Sequence, residues 1–319
     1  MFEFDYSAYF GPMLPQADAM RSTDERFWGD GTEKDKKPHD YILYLGCNVL
    51  RTVALAETIV AILDKLGIYF IALGGHATCC GIIHHGTGDT EVSEKLTSQT
   101  LDKFTQYRPK AVLTYCPSCH FHMDYSLAET GIQFDVPYLH VTEFITGNLH
   151  RLSFRNRIER RVYLHGHSDN EQAMLDSKFA RAFFEAIPGL EVLGEPGTSD
   201  WGHDCGGRQI GHIGQDVQDR LAAEMFTTAK AAGADAITAL YHSCYRQFGA
   251  YERAQAMEVV HYTALVAEAL WLPPKEEFFK KLKLDSNPDK AADELKAPAA
   301  SRGLTENRLR STPNAHFSK

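Results

Sequence analysis

Seven cysteines, at positions 47, 79, 80, 116, 119, 205 and 244, are the residues of this 319-residue chain best suited to redox or metal chemistry. Cys79 and Cys80 are adjacent in GGHATCCGIIHH, and neighbouring cysteines reach disulfide geometry only with backbone strain. Cys116 and Cys119 form a C-x-x-C pair in CPSC, a spacing that places two sulfurs on one centre. The count is odd, and the chain is large and expected to be cytoplasmic. A disulfide framework is therefore disfavoured against metal binding or redox chemistry.

These cysteines sit on a regular alternation. YILYLGC reads as a buried strand, NVLRTVALAETIVAILDKLG as a helix stopping at Gly67, and YFIALGG as a second strand. EVSEKLTSQTLDKFTQY follows as an amphipathic helix, AVLTYCPSC as a third strand, and YLHVTEF as a further strand or turn. The order then repeats: VYLHGHSD, NEQAMLDSKFARAFFEAI, EVLG, the loop WGHDCGG, IGQDVQDRLAAEMFTTAKAAG, AITALYHSC, and helices to Leu272. Alternating strands and helices predict an α/β fold of two tandem, similar units, each on a parallel sheet. The expected divisions are an N-terminal arm over 1–37, units over 38–150 and 158–272, and a tail over 273–319. The tail reads as disordered beyond a short amphipathic helix.

Every cysteine of the first unit lies at the end of a predicted strand. In an open parallel sheet those ends share one edge, where ligands bind. Five converging thiols suit soft metals or an iron–sulfur cluster. The glycines at 74, 75 and 81 are expected to give room around a bulky inorganic group. A tetrahedral zinc site needs one ligand fewer. A dithiol pair leaves three thiols unexplained, and five structural thiols on strand-end loops fit poorly.

The pattern Cys47-x31-Cys79-Cys80-Gly81-x34-Cys116-Pro-x-Cys119 resembles the CCG cysteine-rich domain found in the B subunit of heterodisulfide reductase and in its relatives. The tandem arrangement resembles that protein over most of the chain. The resemblance implies that Cys47, Cys79, Cys80, Cys116 and Cys119 bind a non-cubane [4Fe-4S] cluster. It implies an oxidoreductase that works within a complex on a disulfide, thiol or persulfide. The partners it implies are a C-type iron–sulfur protein and an A-type flavoprotein of such a complex, with a lipoyl-type carrier protein as one form of substrate. The heterodisulfide-reductase-like complexes of sulfur-oxidising bacteria are the nearest match for a degenerate second site. The alternatives are an electron-transfer or assembly subunit without its own substrate, and a zinc-binding interaction protein.

The second unit departs from the pattern. Ser168, Asp204-Cys205-Gly206 and Cys244-Tyr-Arg-Gln247 stand where the first unit has Cys47, the CCG triplet and the C-x-x-C. Three of the five thiolates are thus replaced, by Ser, Asp and Gln in this reading. His165, His167, His203 and His242 lie beside the degenerate motif. Cys205 and Cys244 with two histidines, His167 and His203 first, can form an N2S2 zinc site. A substrate pocket and a decayed, hydrogen-bonded remnant are the alternatives. In the first unit His76, His84, His85, His120 and His122 flank the cysteines, and His76 and His84 are the candidate catalytic proton carriers.

The net charge of -9 and the absence of a basic stripe argue against nucleic acid. No stretch approaches a membrane span, and the first residues do not read as a signal peptide. No G-x-G-x-x-G opens either unit for NAD or flavin.

Overall fold

The computed structural model describes residues 10–11, 13–22, 36–126, 131–167, 170–194, 214–285, 288–301 and 303–304. Two compact units are formed. One takes the residues up to Val141 together with those from Glu276, and the other takes Thr142–Lys275.

The first unit opens with helix α1 (Met13–Met20). Strand β1 (Tyr41–Gly46) leads to a 3-10 turn at Asn48–Arg51 and helix α2 (Val53–Lys65). The apolar run of β1 is buried on both faces, as a central parallel strand requires. Gly67, at φ +66°, follows α2, and its N–H bonds the Asp64 carbonyl. Strand β2 (Phe70–Gly74), the short helix α3 (Ile82–His85) and helix α4 (Thr90–Gln106) come next. The Asp89 carboxylate accepts from the Val92 N–H at the start of α4, which satisfies one orphan donor of its first turn. Strand β3 (Ala111–Thr114), helix α5 (Pro117–Phe121, with Pro at its first position) and strand β4 (Tyr138–His140) close the sheet. All pairings are parallel, in the order β2-β1-β3-β4.

The second unit repeats this. Helix α6 (Val141–Gly147) precedes β5 (Arg160–His165), α7 (Glu171–Glu185), β6 (Leu190–Leu193) and α8 (Gln215–Ala231). Then come β7 (Ala236–Ala239), α9 (His242–Phe248), α10 (Glu252–Gln255), β8 (Glu258–His261) and α11 (Tyr262–Ala269). The order β6-β5-β7-β8 is that of the first sheet, again all parallel. Residues 142–147 pack with this unit: Thr142 donates to Asp176 and Thr146 to the Phe179 carbonyl.

The two ends of the chain differ from the sequence reading. Within the expected arm, α1 buries Met13, Ala17 and Met20 against the Asn48–Arg51 turn and α2. In the tail, helix α12 (Phe278–Asp285) falls on the expected short amphipathic helix, whereas helix α13 (Pro288–Ser301) forms where disorder was expected and packs on α1. Phe279, Leu295 and Ala299 are buried, so three apolar residues on a charged segment suffice to dock it. Residues 305–319 lie outside the described set. No described helix is long and apolar enough to cross a membrane.

Candidate metal centre

In the first sheet β1 is flanked by β2 and β3, so the first two crossovers run in opposite directions from it. This leaves a crevice at the carboxyl ends of the strands. The five cysteines stand there. Cys47 follows β1, Cys79 and Cys80 follow β2 through the short turn His76–Thr78, and Cys116 caps α5 with Cys119 one turn inside it. All five are buried, and none is in a disulfide. Their sulfurs form a connected set. The Cys47 thiol hydrogen-bonds Cys79, and that bond, burial and the neighbouring thiols hold its pKa well above the ordinary value. Cys119 bonds both Cys116 and Cys80, and these bonds with burial raise its pKa in the same way. A bound cation reverses this, because it favours the thiolate form outright. Five thiols exceed the four ligands of one tetrahedral ion and fit the all-sulfur donor set of an iron–sulfur centre.

The Cys79–Cys80 doublet is held by its carbonyls. The Lys103 ammonium donates to Ala77, the Tyr44 hydroxyl to Thr78 (2.7 Å), the Thr100 hydroxyl to Cys79 (2.8 Å) and the Thr97 hydroxyl to Cys80 (2.7 Å). Four successive carbonyls are thus each taken by a side chain. Three of those side chains project from α4, so this helix sets the backbone that carries the two sulfurs. Burial, and then the thiols of Cys119, Cys80, Cys79 and Cys47, keep Tyr44 protonated and able to donate. Sequence reasoning saw α4 as an amphipathic helix and missed this function. The available signal was Thr97 and Thr100 at i,i+3, small polar residues on the face that packs inward.

The glycines divide the work differently from the expectation. A Cβ on Gly81, at φ +88°, would stand 2.6 Å from the Ser93 carbonyl oxygen. Gly81 therefore makes room for the backbone of α4, not for an inorganic group. The glycine that opens space beside the sulfurs is Gly46, where a Cβ would meet Cys119 Sγ at 2.9 Å and the Cys116 Cβ at 3.2 Å.

Of the flanking histidines, His84 is buried with Nδ1 2.9 Å from Asp89 Oδ2. His76 is half-buried, its Nδ1 has no hydrogen-bond partner, and burial followed by Lys103 lowers its pKa. His122 is buried, and its Nε2 lies 3.1 Å from the Thr97 hydroxyl. Because that hydroxyl donates to Cys80, the His122 proton is assigned to Nε2. Burial and then His85 lower the His122 pKa to about 4. His120 is buried with Nδ1 against the Thr114 hydroxyl, and His85 stands 5.4 Å from the His122 ring, centre to centre.

The strand registers superpose the two units residue by residue. Ala111 pairs with Tyr41 in the first sheet, and Ala236 pairs with Val162 in the second. With Ala111–Thr114 on Ala236–Ala239, Cys116 matches Tyr241, each the residue before its helix. Cys119 then matches Cys244. This corrects the reading that aligned Cys244 with Cys116 and put Gln247 last: the substituted thiolate is at Tyr241. Spacing agrees, since 39 positions separate Cys80 from Cys119 and also Cys205 from Cys244. The same register places His165 on Tyr44, His167 on Gly46 and, in sequence, Ser168 on Cys47.

His165, His167 and Cys244 come together, with one ligating atom from each lying within 4.8 Å of the others. His167 Nε2 is 3.0 Å from Cys244 Sγ. His242 is buried at the first position of α9. His203 and Cys205, the other residues of the expected zinc set, lie outside the described residues, as do Ser168 and Asp204.

A family model for the cysteine-rich domain, CCG, matches residues 41–124 and 173–249. The EtfAB:quinone oxidoreductase of Syntrophomonas wolfei subsp. wolfei is 30% identical over 115 residues, 35% of this chain and 16% of that protein. The D subunit of the dihydromethanophenazine:CoB--CoM heterodisulfide reductase of Methanosarcina mazei is 25% identical over 262 residues, 78% of this chain and 63% of that protein. The chain thus spans less than two thirds of the length of either relative. Among solved structures, an aspartate racemase homologue from Pyrococcus horikoshii OT3 aligns at 10% identity with a TM-score of 0.32, covering 72% of this chain and 95% of that one.

Proposed function

The chain belongs to the CCG cysteine-rich domain family, and from that premise we propose that it is an iron–sulfur redox subunit of a heterodisulfide-reductase-like complex. The observation that carries the reading is the convergence of five buried thiols at one sheet edge. In this reading Cys47, Cys79, Cys80, Cys116 and Cys119 hold one non-cubane [4Fe-4S] cluster. When bound, the cluster supplies single-electron transfer and an iron site for a substrate sulfur. The substrate is a disulfide, thiol or persulfide, on a small molecule or a lipoyl-type carrier protein. A C-type iron–sulfur protein and an A-type flavoprotein of the complex are the proposed electron partners.

The chain's own residues have distinct tasks. Lys103, Tyr44, Thr100 and Thr97 fix the peptide run that carries Cys79 and Cys80. The buried setting excludes bulk water from the sulfurs. His84, its ring fixed by Asp89, and His76 are the proposed proton carriers for the substrate thiol. In this reading the second unit does not hold a second cluster of this kind: among its described residues Tyr241 stands in place of a thiolate and His167 fills the position of Gly46.

The test is anaerobic iron and sulfide analysis, followed by EPR of the oxidised protein with and without thiol substrates. A brown protein with about four irons per chain and a substrate-dependent signal is expected. A folded, colourless, iron-free protein refutes the reading. The similarity to an EtfAB:quinone oxidoreductase favours one second reading, an electron-transfer subunit without a substrate of its own. A cluster signal unchanged across a panel of disulfides, thiols and persulfides selects it.

A further inference from the structure

We infer that the second unit carries a mononuclear metal site whose protein ligands are His165, His167 and Cys244, with zinc as the ion that its donor set selects. The inference is independent of the cluster reading, because it rests on a different set of side chains.

Three observations carry it. First, the three side chains converge from two strand ends. His165 ends β5 and His167 lies two residues on, so both point to the same side of the sheet edge, and Cys244 sits in the first turn of α9 after β7. Their ligating atoms lie within 4.8 Å of one another, and the residues are only 1%, 7% and 0% exposed. Second, both ring nitrogens of His165 are buried, and the Cys244 thiol that interacts with one of them is already shared with His167 Nε2, so at least one nitrogen is left without a partner. An imidazole always has a polar atom to satisfy at each nitrogen, and a buried orphan of this kind needs an explanation. A metal at one nitrogen supplies it. Third, the geometry needs little change. His167 Nε2 and Cys244 Sγ are 3.0 Å apart. Tetrahedral zinc with ordinary Zn–N and Zn–S bonds sets ligand atoms about 3.6 Å apart, so a small opening of the pair admits the ion. The second unit has exchanged the gap at Gly46 for an imidazole at His167, which suits one ion and not a bulky cluster.

Two imidazoles and one thiolate form a borderline donor set. It favours zinc over hard cations, and its three protein ligands leave a fourth position for a ligand from outside the trio. Binding converts the Cys244 thiol to thiolate and releases one proton to solvent; no electron moves.

The test uses the full chain, purified anaerobically with its iron complement measured in the same sample. Zinc of about one per chain is expected by elemental analysis. His165→Ala and Cys244→Ser should each lose zinc while keeping iron, and Cys80→Ser should lose iron while keeping zinc, so the two readings fail separately. Should a variant misfold, the wild type still decides. Produced in zinc-depleted medium with cobalt(II), the iron-replete protein should show a thiolate-to-cobalt charge-transfer band and tetrahedral d–d bands. Iron-replete wild type that takes up neither zinc nor cobalt overturns the site, as does zinc retained in a folded His165→Ala/Cys244→Ser double variant. Rapid alkylation of Cys244 in metal-replete protein also overturns it, because that identifies a bare thiolate–imidazolium pair.

Discussion

Gly46→Ala tests whether the opening beside Cys119 is what admits a metal cluster. Two costs are separable. At φ +75° an alanine pays the left-handed backbone penalty, about 1–2 kcal/mol. Its Cβ also lands 2.9 Å from Cys119 Sγ and 3.2 Å from Cys116 Cβ, so the sulfur or α5 must shift. Forced overpacking of this kind costs about 1–3 kcal/mol more. Gly88→Ala supplies the control, since Gly88 has φ +83° and no atom within 4 Å of the added Cβ. It carries the backbone cost without the clash. For a unit of this size each kcal/mol moves Tm by roughly 2–4 °C. Gly88→Ala should therefore lose roughly 2–8 °C and keep its full iron content. Gly46→Ala should lose more and also lose iron, with a changed EPR spectrum in what remains. The assay is iron per chain, EPR and thermal unfolding on matched anaerobic samples. Equal iron and identical spectra in the two variants would refute the reasoning, because the close approach to Cys119 would then relax without consequence.

Other outcomes follow from single contacts. Thr97→Val keeps shape but removes the donor to the Cys80 carbonyl and the partner of His122 Nε2. Denaturant unfolding should show a loss of about 1–3 kcal/mol, with faster iron loss in air, whereas the exposed Thr105→Val should change neither. Cys119→Ser should abolish iron binding, while Cys244→Ser, at the matching position of the second unit, should leave iron unchanged by colorimetric analysis. Burial lifts the Glu277 carboxyl from 4.5 to about 7. A carboxyl raised in the folded state contributes full stability below pH 4.5 and loses it as pH rises through 7. The loss is at most about 3 kcal/mol. Glu277→Gln should flatten the difference in unfolding free energy between pH 4 and pH 8.

Much of the fold was legible because parallel strands buried on both faces are written as apolar runs. YILYLG, FIALG and AVLT all appear as strands where they were expected. The cysteines were legible because a strand end in such a sheet is a known place. Three things were not. The ends of the chain carry too few apolar residues for a periodic signal, yet Met13, Met20 and Leu295 suffice once α1 and α13 can meet. The role of Gly81 was misassigned because sequence shows that a glycine is needed, not which neighbour needs the space. The partner of Cys119 was misassigned because C-x-x-C was matched forward from Cys244. The strand register shows that Tyr241, just ahead of the helix and three residues before Cys244, is the position that matches Cys116.

In the proposed reading, that register also accounts for two units of one topology holding different sites. A cluster ligand set fails if any of several thiolates is lost, but loss alone leaves the volume open. Here an imidazole also stands where the first unit has only Gly46. Where Gly46 leaves no side chain near Cys119, His167 reaches its ring nitrogen to 3.0 Å from the equivalent sulfur. Returning Cys to positions 168, 204 and 241 therefore should not restore a second cluster while His167 remains. Adding His167→Gly to those three changes removes the obstruction, and iron content should then rise above that of the triple variant. An equal iron content in the two would show that the ligands alone decide, and that the imidazole at 167 is a passenger.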